Sequence, residues 1–266
     1  MSLTTDAPAA PTVAELRAAF RAVVAGRYRT DTAADPMVPD AADTADAVWS
    51  PAVGERTVVV LGAGGGCGAT TVAVVLASAG APARVVECSS AVRSGLVTAA
   101  FNELGAADES WLRGRRGPVI LERRADVGVW VPAPLEAEMP EMLTVIDAGD
   151  IEQARRTGWL APWLDEVPCV VATRATLPGL RQLETVLCRL DLSRAVAAVL
   201  GPALRRWPKA LSYSLGENTR ALLEDERLVC VPLDADLAIT GLASAEISTP
   251  IGAAGAVLGD LVADLL

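Results

Sequence analysis

Five glycines fall within seven residues in the stretch VVVLGAGGGCGATTVAVVLA (58–77), between a run rich in β-branched residues and an apolar segment that opens at Thr70 and Thr71. That arrangement suits a phosphate. Successive backbone N–H groups can turn inward around an anion, and the helix that follows offers its positive end. Glycine permits the turns and the close approach. Gly62, Gly64, Gly65, Gly66, Cys67 and Gly68 would make the cradle, Ala69 and Thr71 would open the helix, and the Thr70 hydroxyl would hold Mg²⁺. The lysine that reaches the β- and γ-phosphates in such loops is absent, because its place holds Ala69. Two unit charges 4 Å apart interact by on the order of 4 kcal/mol at an effective dielectric of 20. Its loss would weaken binding by orders of magnitude and remove charge stabilisation for phosphoryl transfer, leaving the backbone and Mg²⁺ terms. Arg93, Arg113, Arg115 and Arg116 are candidate substitutes. Two other readings fit the same loop. Gly64-x-Gly66-x-x-Ala69 matches a dinucleotide fingerprint, with Glu87 about 20 residues on, where a ribose hydroxyl would be held. A tight strand–helix turn with no ligand is the third.

The elements that must position this loop follow from patterning. From Arg56 onward, strand and helix signals alternate. Strands are predicted at 57–61, 84–87, 127–131, 143–147, 168–172, 195–200 and 228–232, and several are continuously apolar, as strands covered on both faces are. Crossover helices are predicted at 69–79, 94–104, 151–164, 178–190, 214–225 and 254–266. The class is α/β, a doubly wound, mostly parallel sheet. In such sheets ligands sit beyond the carboxyl ends of the strands, which singles out the glycine loop, Glu87, Asp147, Thr173 and Asp234. Ahead of this domain (56–266), residues 1–29 contain an amphipathic segment, with Leu16, Phe20, Val23 and Val24 at helical spacing and Arg17, Arg21, Arg27 and Arg29 beside them. It reads as a helix docked on the domain or as a partner-docking arm. Residues 30–55, with five aspartates among Ala and Pro, read as a flexible acidic linker.

Composition narrows the chemistry. The chain has 266 residues and a formal charge of -10, which argues against a surface that is basic overall. It has no histidine, which removes Ser-His and Cys-His catalysis and His metal sites, and one lysine, Lys209, far from the loop. Abundant Ala, Val and Arg with one Lys is the composition of a high-GC genome, such as an actinobacterial one. Five cysteines without a CxxC pair read as buried thiols. No apolar run reaches the ~18 residues of a membrane span, and the first residues carry no basic-then-apolar leader, so a cytoplasmic protein is expected. RGRRG (113–117) with Arg123 and Arg124 is the one dense basic patch, expected to be a solvated loop or a contact for phosphate or an acidic partner.

GGGCGATTVAVVLA resembles the deviant Walker A loop of the ParA/MinD family, roughly K-G-G-x-G-K-T-T before an apolar helix, and is nearest to its lysine-poor TadZ/CpaE-type and actinobacterial septum-site-like branch. RVVECSSAVRSGL resembles the strand ending in D-x-D, LTVIDAGD the Walker B-like strand, VVATRATLPGLRQLETVL the strand, loop and LP-x-LR helix, and VCVPLDADLAITGLAS the closing segment, all in order over about residues 56–245. The resemblance implies a nucleotide-binding fold that takes ATP and Mg²⁺ through Gly64 to Thr71, Glu87 and Asp147, with Thr70 and Asp147 nearest the metal. It also implies a homodimer with a protein partner. The departures bear on catalysis. The family's two lysines fall on Gly64 and Ala69, the aspartates of D-x-D on Glu87 and Ser89, and the adenine-reading Asn near Gly201. Hydrolysis is therefore not carried over.

The carboxyl-terminal GAVLGDLVADLL has no Lys or Arg, so no basic membrane anchor is expected. DNA binding would have to use the 113–124 arginines or the N-terminal helix and is not favoured. The leading expectation is a scaffold or positioning protein of a partition, conjugation, secretion or pilus system with weak or no ATP binding. The alternatives are a slow ATPase with an arginine replacing lysine, and a nicotinamide- or flavin-dependent oxidoreductase.

Overall fold

Strands rich in Val, Ile, Leu and Ala, with both faces apolar, need helices on both sides, and the computed structural model has that arrangement. It describes residues 49–89, 94–125, 130–243 and 246–266. The amphipathic segment 13–29, most of the linker 30–55, and Arg93 lie outside the described residues. The strands are β1 (Arg56–Gly62), β2 (Ala83–Glu87), β3 (Asn102–Ala106), β4 (Trp111–Arg116), β5 (Val119–Arg124), β6 (Leu143–Asp147), β7 (Cys169–Arg174), β8 (Ala195–Leu200) and β9 (Leu228–Val231). They form one sheet in the order β3-β4-β5-β2-β6-β1-β7-β8-β9. Every neighbouring pair is parallel except β3–β4 and β4–β5, so β4 alone runs against the rest.

The helices are α1 (Ala69–Ala79), α2 (Ile151–Arg156), α3 (Leu177–Leu187), α4 (Lys209–Tyr213), α5 (Glu217–Glu224), α6 (Ala235–Thr240) and α7 (Thr249–Leu265). One core layer packs α1 and α7 against Val58, Val60, Val85 and Val145 on one sheet face. The other packs Leu160, Leu180, Leu183 and Leu222 against Val59, Leu61, Ile146 and Val171. Six consecutive residues of α1, Val72–Ala77, are buried, which is why the helix is apolar on nearly every side. It is enclosed by the sheet and by α7, whose Gly255 lies so close that an added Cβ would come within 2.3 Å of Val75 Cγ1.

Several segments differ from their sequence reading, among them the predicted helix 151–164, where α2 ends at Arg156 and a separate short turn follows at Ala161–Asp165. Residues 94–104, predicted as a crossover helix, hold a single short turn, Leu96–Thr98, and then enter β3. The basic patch 113–124, predicted as a loop, is the antiparallel pair β4–β5, turned at Gly117 with φ 57°. Residues 127–129 of the predicted strand 127–131 lie outside the described residues, and Trp130 and Val131 are not in a strand.

Hydrogen bonds explain why arginines can sit in that pair. Arg116 donates to the carbonyls of Ala99 and Leu242 at 2.9 and 2.8 Å and lies over the Phe101 ring. Arg113 grips Glu122 and Glu138, Arg123 pairs with Glu103, and Arg124 donates to the Trp130 carbonyl. These cations are occupied within the fold, and of this group Arg115 and Arg113 alone are not buried. Of the cysteines, Cys67, Cys88 and Cys169 are buried as expected, whereas Cys188 is exposed.

Candidate functional site

In the sheet order, β1 lies between β6 and β7, and the chain passes from β6 to β7 across it. This is where an open parallel sheet splits its connections and leaves a crevice at its carboxyl edge. The glycine loop leaves β1 there. Its start is fixed on both sides: Gly62 N–H donates to the Gly149 carbonyl at 2.7 Å and Ala63 N–H to the Ala172 carbonyl at 2.8 Å. Gly66 and Gly68 adopt φ of 67° and 94°, the left-handed region that glycine enters without strain. Among the described residues, the N–H groups of Gly65, Gly66, Gly68, Ala69, Thr70 and Thr71 have no protein acceptor. An added Cβ at Gly65 or Gly66 would meet nothing within 4 Å, so the loop faces open space. A row of unspent N–H groups at a helix start is the physical requirement for holding an anion.

A cavity of about 530 Å³ opens in front of the loop. Gly64, Gly65, Gly66, Cys67, Gly68, Ala69, Thr70, Thr71 and Asp147 all line it. Thr70 Oγ1 donates to Asp147 Oδ2 at 2.7 Å, joining the first turn of α1 to the end of β6. The Asp147 carboxyl is pushed up to about 6, chiefly by burial and further by the Glu87 charge, against hydrogen bonds from Thr70 and the Gly149 N–H. A hydroxyl and a carboxylate in contact at the cavity wall, next to a row of unspent N–H groups, are a hard-oxygen pair of the kind Mg²⁺ takes together with phosphates and waters. Those residues therefore fit the cation.

Glu87 is placed differently from expectation. It ends β2 opposite Asp147 in the strand register, is fully buried, and does not line the cavity. Its Oε2 accepts from the Arg124 N–H at 2.9 Å, and burial raises its carboxyl above the usual range. A ribose hydroxyl held by Glu87 thus has no support in the geometry. Ser89, Gly149, Asp150 and Gln153 complete the cavity wall. The sequence reading did not single out the last three, although they follow Asp147 within a few residues. Asp150 caps α2 by accepting from Gln153 N–H at 2.9 Å, and Gln153 Nε2 donates to the Cys88 carbonyl. The other expected strand ends lie apart from this wall: Thr173 is buried and bonded to the Gly179 carbonyl, and Asp234 caps α6.

No family model matches the chain, and no curated protein is similar to it in sequence. Solved structures are. A protein assigned to plasmid partition in Borrelia burgdorferi B31, solved with AMPPNP, superimposes with a TM-score of 0.51 at 11% identity, covering 82% of this chain and all (100%) of that one. The fold is the ParA/MinD-like one. A ParA family ATPase from Chlorobium tepidum and the MinD cell division protein of Aquifex aeolicus align less closely, with TM-scores of 0.45 and 0.48, identities of 13% and 12%, and coverage of 79% of this chain and 96% of each of theirs.

On this ParA/MinD-like fold the positions of the sequence departures have these surroundings. At Gly64 an added Cβ would lie 2.5 Å from Gln182 Oε1, the free end of an α3 side chain that a larger residue at 64 would have to turn aside. At Gly201, in the region where the resemblance expects asparagine, an added Cβ would lie 2.4 Å from the Ala175 Cβ. A side chain there has no room. Ala69 begins α1 at the cavity wall without a charge.

Proposed function

We propose that this chain is a ParA/MinD-like scaffold or positioning protein, a homodimer working with a protein partner in a partition, conjugation, secretion or pilus system. Its glycine loop takes ATP with Mg²⁺ weakly and hydrolyses it little or not at all. The observation that carries this reading is the pairing of Thr70 with Asp147 beside a loop of unspent N–H groups, while the lysine positions hold Gly64 and Ala69. Phosphoryl transfer depends on positioning and on cationic stabilisation of the transferring group. Here the positioning parts are retained and the lysine charge is missing. The AMPPNP held by the Borrelia protein supports ATP as the ligand class. The oxidoreductase alternative lacks its ribose-binding carboxylate, since Glu87 is buried behind the cavity.

The test is isothermal titration with ATP and Mg²⁺, run beside NAD, on the wild type and on Ala69→Lys. Position 69 opens α1, lines the cavity and is part-exposed at the edge of the core, so a lysine there is placed to extend toward a bound phosphate. The expected result is weak ATP binding by the wild type, no NAD binding, and an affinity gain of about 10- to 100-fold in Ala69→Lys, the size of one charge-assisted contact. Hydrolysis by the wild type at an ordinary ATPase rate, or NAD binding in place of ATP, would sink the proposal.

A further inference from the structure

Arg174 was not among the arginines that the sequence offered in place of lysine. It ends β7, next to buried Thr173, and its Nε and Nη2 both donate to the Gly66 carbonyl, at 3.2 and 3.1 Å. That places the guanidinium on the glycine loop, across 108 residues of sequence. The three named candidates that lie among the described residues do not compete. Arg113 is held by two carboxylates and Arg116 by two carbonyls, Arg115 is on the β4–β5 pair at the far side of the sheet, and Arg93 lies outside the described residues.

Arg174, like Arg56 and Arg220, is bonded to a backbone carbonyl and not to a carboxylate. Arg84, Arg113, Arg123, Arg155, Arg189 and Arg227 each pair with a carboxylate. Arg174 is exposed, and among the described residues it has no carboxylate partner, only the Gly66 carbonyl. A guanidinium carries five N–H donors, so three remain unspent. Gly65, Gly66 and Cys67 line the main cavity and also a shallower hollow of about 240 Å³ that Arg174, Thr173 and Gln182 line. The loop therefore has a hydroxyl–carboxylate pair on its β6 side and an uncompensated cation on its β7 side. A neutral carbonyl on an exposed loop is a weak partner for guanidinium. A phosphate oxygen makes a shorter, charge-assisted and often forked bond.

We propose that Arg174 supplies the cationic contact to the phosphate chain of a nucleotide on the glycine loop, from the β7 side, in place of the lysine lost at Ala69. This rests on the nucleotide reading above and deepens it. It makes affinity depend on the number of phosphates, so that ATP binds more tightly than ADP.

The experiment is titration of wild type, Arg174→Gln, Arg174→Lys and the control Arg115→Ala with ATP–Mg²⁺ and ADP–Mg²⁺ at two salt concentrations, with a melting curve for each. Arg174→Gln is expected to lose ATP affinity about 10- to 100-fold and to show a flatter dependence on salt, because one exposed charge contact is gone. Arg174→Lys should recover part of the affinity and the salt slope, since charge returns without the fork. Arg115→Ala should match the wild type. A merely structural role on Gly66 would lower affinity with the salt slope unchanged and without rescue by lysine, and that result overturns the proposal. So does an Arg174→Gln protein that binds ATP as the wild type does, in which case the nucleotide site stands and the arginine's role falls. A wild type that takes no ATP overturns the site reading itself, and this role with it.

Discussion

Asparagine at position 147 is expected to make the protein about 3 kcal/mol more stable than wild type at pH 8 without divalent cation, and equal to it at about pH 3. Asp147 is 1% exposed, and burial, reinforced by the Glu87 charge, holds its carboxyl at about 6 in the fold. An unfolded aspartate titrates near 3.9. Between those values the native state keeps a proton that the unfolded chain has released. Stability from this group is thus fully present below the unfolded value and falls as pH rises through the folded one. Glu87, displaced in the same direction, adds to the slope. Asparagine cannot ionise and still accepts from Thr70. Denaturant midpoints at about pH 3 and pH 8 measure the difference between the two proteins. At pH 8, added Mg²⁺ should stabilise the wild type by binding the native state and leave Asp147→Asn unmoved. Equal pH profiles, or an equal response to Mg²⁺, would refute the assignment.

Replacing Arg84 by methionine should cost about 3–5 kcal/mol, a large part of the ~5–15 kcal/mol that stabilises a domain. Arg84 is 1% exposed and spends its guanidinium on four groups. Nη2 reaches Glu55 at 2.7 Å, Nη1 reaches Glu122 at 3.1 Å and the Leu135 carbonyl at 2.6 Å, and Nε reaches Thr144 at 2.8 Å. Methionine would fill much of the volume but leave two buried carboxylates, Glu55 and Glu122, with less compensation. Glu122 would keep Arg113, which donates to its other oxygen. The neutralised triple variant, Arg84→Met with Glu55→Gln and Glu122→Gln, should regain most of the loss, because the penalty comes from the orphaned charges more than from the missing contact. Denaturant midpoints of the two variants decide it. A loss below about 1 kcal/mol in the single variant would mean that water enters the site.

Much of the central sheet could be read from the chain because burial on both faces leaves a simple mark. The strands at 143–147 and 195–200 and the helix at 69–79 agree with the structure to the residue. Each is a nearly continuous apolar run whose carboxyl end is cut by Gly or Asp. The β4–β5 pair was misread for a physical reason. WLRGRR and VILERR look like surface until the partners of their arginines are known, and the Leu242 carbonyl that receives Arg116 is 126 residues away. The candidate site divides along the same line. Gly64 to Thr71 and Asp147 carry local signatures and meet at one cavity, whereas Gln182 and Arg174, from the β7–α3 segment, line the neighbouring hollow on the other side of the loop. No spacing rule links them to the loop. A cue for Arg174 existed, since it adjoins Thr173 at a strand end beside the loop, but a lone arginine there does not show which way it turns.

The sheet ends differ from its middle in a way that bears on how copies of this chain can associate. At one end is β3, five exposed residues with a register shift between Glu103 and Gly105, where Gly105 has φ 90°. At the other is β9, of four residues. A bulged margin carrying a glutamate and a very short margin are both poor templates for strand addition. The fold is thereby guarded against growing edge to edge into a continuous ribbon. Straightening β3 by deleting Leu104 would remove that guard and offer a flat row of amide and carbonyl groups, so its consequence would be seen first in turbidity rather than in ligand binding.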